Sequence, residues 1–86
     1  MNTIYKYVLS PFQRTVPMPE GARILSCQAQ NLDICLWCEV DTTEPIILRT
    51  FDIIVTGWDL DEYPLTKVYV GTVQLSTGLV FHVYEV

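Results

Sequence analysis

The sequence predicts an all-β, mainly antiparallel fold: one small sandwich, or an open barrel-like meander of about six or seven strands. β-branched and aromatic residues are dense along the chain, and turn-forming residues interrupt them about every eight to twelve positions. No segment carries apolar residues at helical spacing over three or more turns. The chain has 86 residues, so residues 1–86 are expected to form a single β domain.

The first two strands are predicted at residues 2–9 and 14–18. Residues 2–9 are rich in aromatic and β-branched side chains and end before a Ser-Pro pair. Residues 14–18 are short and extended, because Pro17 and Pro19 both disfavour helix around them.

The next two strands are predicted as a hairpin. Residues 23–30 alternate between apolar and polar side chains, and a short connection at residues 31–33 leads to residues 34–41. So short a link cannot make a crossover, so the two strands should be antiparallel. The side chains of the first strand that should face the core are Leu25, Cys27 and Ala29.

The second half of the chain predicts one long strand, an irregular stretch and a hairpin. Residues 46–56 form the longest predicted strand. Residues 57–64 carry no strand pattern, and a single helical turn fits within residues 59–63. Residues 67–75 and 79–86 then form the last hairpin across a Ser-Thr-Gly turn.

The charge balance excludes some classes of partner. Ten acidic residues face five basic ones, which gives a formal charge of −5. Duplex nucleic acid is not an expected partner, because its binding needs several cations on one face.

The first residues lack the pattern of a signal peptide, and no apolar run has the length of a membrane span. A cytoplasmic protein without a membrane partner is therefore expected.

The three cysteines predict reduced thiols rather than a disulfide framework or a cofactor site. Cys35 and Cys38 are three residues apart on a predicted strand, so their side chains should point to opposite faces. A zinc site would need Cys27, Cys35, Cys38 and His82 to converge, and this alternation separates two of them. No metal or other cofactor is predicted.

His82 is the chain's only histidine, and it does not predict an enzyme. It lies on the strand face opposite Phe81 and Val83. No nucleophile elbow, zinc-protease motif or phosphate-binding glycine loop accompanies it. We therefore expect a solvent-facing or cross-strand-paired histidine and assign no catalytic residue.

The candidate binding residues lie mainly in the irregular stretch. Aromatic side chains on loops give large contact areas at recognition sites, and acidic neighbours would favour a basic partner. The alternative is that the indole of Trp58 folds back to close one end of the fold. The candidates in this stretch are Trp58, Asp59, Asp61, Glu62 and Tyr63.

Two further binding candidates, Trp37 and Arg49, lie on predicted strands. If Leu36 and Cys38 face the core, Trp37 projects outward, beside Arg49 or another long side chain of a neighbouring strand. An exposed tryptophan on a sheet face indicates a partner, such as a second copy of the chain. The alternative is that both faces of the sheet are partly covered.

The whole chain also resembles a known family. The segments that carry the resemblance are TIYKY (3–7), MPEGARIL (18–25), LW (36–37), TG (56–57), YVGTVQL (69–75) and VFHVYE (80–85). Across residues 3–85 the chain is similar to a family of short proteins of unknown function that are common in bacteriophages, prophages and bacterial genomes. The resemblance implies a phage or mobile-element setting inside a host cell and transfers no catalytic residue.

These observations lead to one principal hypothesis and two alternatives. The principal hypothesis is a non-enzymatic accessory protein of a phage or mobile element that acts by binding a host or phage protein. Within this hypothesis, the chain could inhibit a host defence or regulatory protein, and it could form a homo-oligomer. The first alternative is a protein that sequesters a small molecule such as a nucleotide signal, with Arg14, Arg23 or Arg49 pairing with phosphate. The second is a small enzyme or metal-binding protein built around His82.

Overall fold

The computed structural model describes residues 1–63 and 67–86 and contains seven strands in that part of the chain. The all-β prediction is confirmed, and each predicted strand end lies within one residue of the observed one. Pro64, the last residue of the predicted irregular stretch, lies outside the described residues. The strands are β1 (Asn2–Leu9), β2 (Thr15–Pro19), β3 (Arg23–Gln30), β4 (Asp33–Asp41), β5 (Ile46–Val55), β6 (Val68–Gln74) and β7 (Val80–Glu85).

A single 3-10 turn at Leu60–Glu62 is the helical element of this part of the chain, where one turn was predicted. Within the described ranges, no helix reaches the length and apolar character required of a membrane span.

The strands form two antiparallel sheets, so the sandwich is the correct one of the two predicted architectures. The first sheet has the order β1-β4-β3, and the second has the order β2-β5-β7-β6. The predicted meander connectivity is wrong, because among the seven described strands only β3–β4 and β6–β7 are consecutive pairs that bond to each other. Alternation and turn residues specify strands and tight hairpins, but they carry no information on which distant strands pair.

One layer of apolar side chains fills the space between the sheets. We call the face of each sheet that points to the other its inner face. Phe51, Met18 and Leu36 are the largest side chains that are fully buried there. The residues of this core are Leu9, Val16, Met18, Ala22, Ile34, Leu36, Cys38, Val40, Phe51, Val73 and Val83.

The predicted inward orientation of Leu25 is wrong. β3 pairs regularly with β4 except for a bulge between Ile24 and Ser26, and Leu25 is the residue inserted there. A bulge shifts the alternation by one position, so Ile24 packs against the core and Leu25 is 44% exposed. Cys27 and Ala29 follow the bulge and pack against the core as predicted.

An ion pair on the inner face connects the two sheets. Arg49 of β5 donates two hydrogen bonds to the carboxylate of Glu85 on β7, at 2.6 and 2.7 Å. Its third contact, at 2.5 Å, is the carbonyl oxygen of Ala22, which directly precedes β3 of the other sheet. The bonds to Glu85 raise the pKa of the Arg49 guanidinium above its ordinary value. This pair therefore fixes β7 to β5 and the second sheet to the first.

The sheets also meet where β6 passes β3. A Cβ atom built on Gly71 would lie 3.0 Å from the Cβ atom of Cys27. This distance is tighter than nine in ten real Cβ contacts, so a side chain at position 71 would push Cys27 away by a few tenths of an ångström. Glycine therefore suits the close approach of the two strands.

We predict that Gly71→Ala destabilises the fold by about 1–3 kcal/mol, because the new methyl group overpacks the contact with Cys27. Urea denaturation would measure the change in the free energy of unfolding. Gln74→Ala is the matched control, since it changes an exposed side chain of the same strand and should cost less than about 0.5 kcal/mol. Equal losses in the two variants would contradict the close packing of β6 on β3.

Candidate functional site

The candidate site is the segment that follows β5, which we call the acidic loop (residues 57–63). Gly57 turns the chain with a φ of +96°, a conformation that suits glycine. The Asp59 carboxylate accepts a hydrogen bond from the backbone N–H of Asp61 at 2.9 Å and so caps the 3-10 turn. The N–H of Tyr63 closes the same turn on the carbonyl of Leu60 at 3.1 Å. The loop is thus ordered by its own hydrogen bonds.

The acidic loop presents apolar side chains and carboxylates together. Trp58 is 53% exposed and Leu60 is 49% exposed. Asp59, Asp61 and Glu62 are exposed beside them, and none of the three forms an ion pair with a described residue. The loop therefore offers an apolar contact surface surrounded by uncompensated negative charge.

The inner side of the loop covers the outer face of the second sheet. Ile54 points outward from β5, yet it is only 2% exposed. A shallow pocket of about 230 Å³ lies here, between the loop and the sheet. Its lining residues are Ile54, Val55, Thr56, Gly57, Trp58, Leu60, His82 and Tyr84. Trp58 therefore both packs back on the sheet and remains half exposed to solvent.

A chain of hydrogen bonds fixes His82 at the edge of this pocket. Thr56 Oγ1 lies 2.7 Å from His82 Nε2 and 3.4 Å from the carbonyl oxygen of Val80. The other ring nitrogen, Nδ1, lies 3.0 Å from Thr72 Oγ1, which in turn lies 2.6 Å from the Tyr69 hydroxyl. A threonine hydroxyl thus bonds to each ring nitrogen of His82. The expected cross-strand pairing of His82 is confirmed.

A buried carboxylate lies on the same face. Asp52 is 3% exposed, and its Oδ1 atom accepts a hydrogen bond from Arg14 Nη2. Its Oδ2 atom and the Nζ atom of Lys67 are buried without a hydrogen-bond partner among the described residues. Lys67 Nζ instead lies over two aromatic rings, 4.8 Å from the centroid of Tyr63 and 5.7 Å from that of Tyr84. Lys67 is therefore engaged by one ring of the loop and one ring of the sheet, and Arg14 by the buried carboxylate.

The other two binding candidates lie away from the acidic loop. Trp37 is half-buried on the outer face of the first sheet, where its cross-strand neighbours are Lys6 and Ser26. The long side chain beside it is thus that of Lys6, and Arg49 lies on the inner face of the other sheet. The structure therefore brings together the five candidates of the loop and neither Trp37 nor Arg49.

The sequence reasoning missed the residues beneath the loop. Leu60 belongs to the loop itself, whereas the others lie on β5, β6 and β7 or directly after β5, and only the pairing register brings them together. The alternation of apolar and polar residues in β5 and β7 indicates that Ile54 and His82 point outward. It does not indicate that these two strands pair with each other. The missed residues are Asp52, Ile54, Thr56, Leu60, Tyr69, Thr72 and Tyr84.

The cysteines are three unpaired thiols, as predicted. Cys38 belongs to the core, whereas Cys35 is buried on the outer face of the same strand, so the predicted separation of the two is confirmed. Burial, with a smaller contribution from Cys35, raises the pKa of the Cys27 thiol to about 11. Burial also raises the pKa of Cys38.

The sequence matches, over residues 1–86, the family described as a domain of unknown function (DUF7352), and the chain belongs to this family. Neither the curated proteins nor the solved structures contain a match to it.

Replacing Arg14 by Met should destabilise the protein by about 2 kcal/mol, because the buried Asp52 carboxylate loses its cation. This loss of stability is smaller than that expected for a fully buried ion pair, because the Arg14 side chain is half exposed and water can partly replace it. Arg23→Met, which removes an exposed pair with Glu39, should cost less than about 1 kcal/mol. Chemical denaturation would compare the variants, and losses of equal size would count against the buried pair.

The raised pKa of Cys27 predicts slow alkylation that accelerates up to about pH 11. Alkylation requires the thiolate, whereas burial in the folded protein favours the thiol. The Cys27 thiol therefore stabilises the folded state at pH values below its pKa in the unfolded chain, which is about 8.5. That contribution is lost as the pH rises toward about 11. Iodoacetamide labelling with peptide mapping would measure the rate, with guanidinium-unfolded chain as control. A native rate that levels off near about pH 8.5 would contradict the assignment.

Proposed function

We propose that this chain is a non-enzymatic binding protein whose acidic loop docks on a basic surface of another protein. The observation that carries the proposal is the pairing of two half-exposed apolar side chains, Trp58 and Leu60, with three carboxylates that have no cation among the described residues. A partner that supplies cations around an apolar recess would satisfy both parts of this surface at once.

The shape of the loop favours binding at low entropic cost. The Asp59 cap and the turn closed by Tyr63 order the backbone before any partner arrives. Trp58 is held from beneath by Ile54 and the neighbouring residues of the pocket, so few rotamers remain to be lost. A tryptophan in this setting is the type of side chain that contributes most to interfaces.

The distribution of charge supports a protein partner rather than a nucleic acid. Arg14, Arg23 and Arg49 are each engaged by a carboxylate of the same chain. Lys6 donates to Gln30, at 2.8 Å, and Lys67 lies over tyrosine rings. The basic residues are therefore dispersed and occupied, whereas the loop carboxylates are clustered and accessible.

The resemblance to phage and prophage proteins supports a more specific form of the proposal. In that setting the chain acts in the cytoplasm of a bacterial host and occludes a basic groove of a defence or regulatory protein. No catalytic role is proposed for His82, because threonine hydroxyls occupy both of its ring nitrogens.

The pocket beneath Trp58 supports a second candidate, the sequestering of a small planar ligand. Trp58, His82 and Tyr84 offer ring surfaces for stacking within about 230 Å³. A phosphorylated ligand is disfavoured because all three arginines are in ion pairs. Native mass spectrometry of the protein purified from host lysate would reveal a retained ligand mass, and bare protein alone would count against this candidate.

The binding proposal is tested by capture from lysate of a bacterial host, followed by affinity measurements with the captured protein once purified. Trp58→Ala should weaken that complex by about 2 kcal/mol, or roughly thirtyfold in Kd. The double variant Asp61→Asn/Glu62→Gln should slow association, and the effect should shrink as the salt concentration is raised from about 0.05 to 0.5 M.

The matched control is Glu20→Gln/Glu44→Gln. This variant changes the net charge by the same amount, but at exposed positions outside the loop. It should bind like the wild-type chain. A complex that is indifferent to Trp58→Ala, or that both double variants weaken equally, would contradict docking through the acidic loop.

A further inference from the structure

The four edges of the two sheets differ in how they are protected from further pairing. β2 contains Pro17 and Pro19, which lack backbone N–H groups. β3 and β6 are each interrupted by a bulge, and they pack against one another near Gly71. β1 has none of these devices. All eight of its residues pair with β4 in unbroken register, and it contains no proline.

The register shows which backbone groups of β1 face outward. The carbonyl of Met1 accepts a hydrogen bond from the N–H of Thr42 at 2.9 Å. Because hydrogen-bonded pairs alternate along an antiparallel ladder, the odd-numbered residues of β1 bond to β4. The even-numbered residues direct their N–H and C=O groups away from the sheet. They are Asn2, Ile4, Lys6 and Val8.

The side chains of β1 leave this edge open. Lys6 is the only charged residue of the strand, and charged residues commonly guard such edges. Its Nζ atom, however, donates to Gln30 Oε1 on β3 at 2.8 Å, so the side chain lies back across its own sheet. Ile4 and Val8, on the same face, are 57% and 50% exposed.

We infer that β1 pairs with β1 of a second copy of the chain, in antiparallel orientation, to form one continuous sheet of both copies. The two-fold axis passes through Tyr5. In this register Ile4 lies opposite Lys6 of the second copy, and Asn2 lies opposite Val8. Both pairs consist of even-numbered residues, so their outward N–H and C=O groups meet.

Neighbouring registers are less favourable. Opposing residues must share a face, so the register can shift only in steps of two. A shift one way places Lys6 opposite Lys6 of the second copy, and like charges directly opposite each other destabilise a sheet. A shift the other way leaves only residues 2–6 paired.

The tyrosines on the inner face favour a second copy as the occupant. Tyr5 and Tyr7 form an edge-to-face pair with centroids 6.4 Å apart, and Tyr5 is 44% exposed at this edge, beyond which no described strand lies. In the inferred dimer, Tyr5 meets Tyr5 of the second copy, and Tyr7 meets Thr3. Four rings then form one cluster across the axis, which adds to the main-chain bonds. This contact is independent of the acidic loop.

Sedimentation velocity of the full chain at increasing concentration tests the inference. The wild-type chain should associate to a dimer and no further. Ile4→Pro removes an outward N–H without touching the bonds to β4, so it should raise the dimer Kd at least about tenfold. Ile4→Glu is the control, since it places a carboxylate opposite Lys6 and should preserve the dimer. Circular dichroism would confirm that both variants keep the β fold.

A cross-link tests the register without depending on the proline variant. Tyr5→Cys, made together with Cys38→Ala, should form a disulfide-linked dimer under mild oxidation, because the two residues at position 5 face each other at the axis. The second change removes the thiol that lies opposite Tyr5 on β4 and would compete within the chain. Ile4→Cys in the same background should not form the dimer, since it faces Lys6 of the second copy. A wild-type chain that stays monomeric up to about millimolar concentration would overturn the inference. A dimer that survives Ile4→Pro, or one that cross-links equally through both cysteines, would overturn it too.

Discussion

A single layer of apolar side chains between two sheets is the constraint on which the rest of this structure depends. Phe51, Met18 and Leu36 are the largest side chains fully buried in that layer, and β4 contributes to it along its whole length. A chain of this length buries a smaller share of its surface on folding than a larger domain does. Half of its residues are nevertheless hydrophobic. Much apolar surface must therefore be covered by loops or remain in contact with solvent.

The outer face of the second sheet illustrates both outcomes. Ile54 and Asp52 are buried there because the acidic loop and Arg14 cover them. Trp58 lines the pocket under this cover and is 53% exposed. The same arrangement that protects the sheet thus creates a half-exposed aromatic surface among carboxylates. In the first sheet, β1 and β3 flank β4 on both sides. Exposed apolar side chains of this sheet lie instead on β1, at its unpaired edge.

The sequence predicted local features well and long-range ones poorly, for a physical reason. Strand bounds, the hairpins, the helical turn and the opposite orientation of Cys35 and Cys38 follow from alternation and turn chemistry, which act over a few residues. The bulge at Leu25 has no such signal, since it arises where β3 adjusts to β4. The pairing of Arg49 with Glu85 joins residues far apart in the chain, so a candidate binding residue became a connection between sheets. Of the candidate site, the loop was predictable, but the strands beneath it were not.

Residue-resolved amide hydrogen exchange, measured by NMR on a dilute solution of the chain, tests the two-sheet arrangement most directly. β4 and β7, which are each paired on both sides, should exchange slowest along their length. Alternation is expected in β1, with slow amides at Thr3, Tyr5 and Tyr7 and fast amides between them. Uniform protection along β1 at that dilution, or amides of β4 that exchange as fast as those of β2, would contradict a core organised around β4.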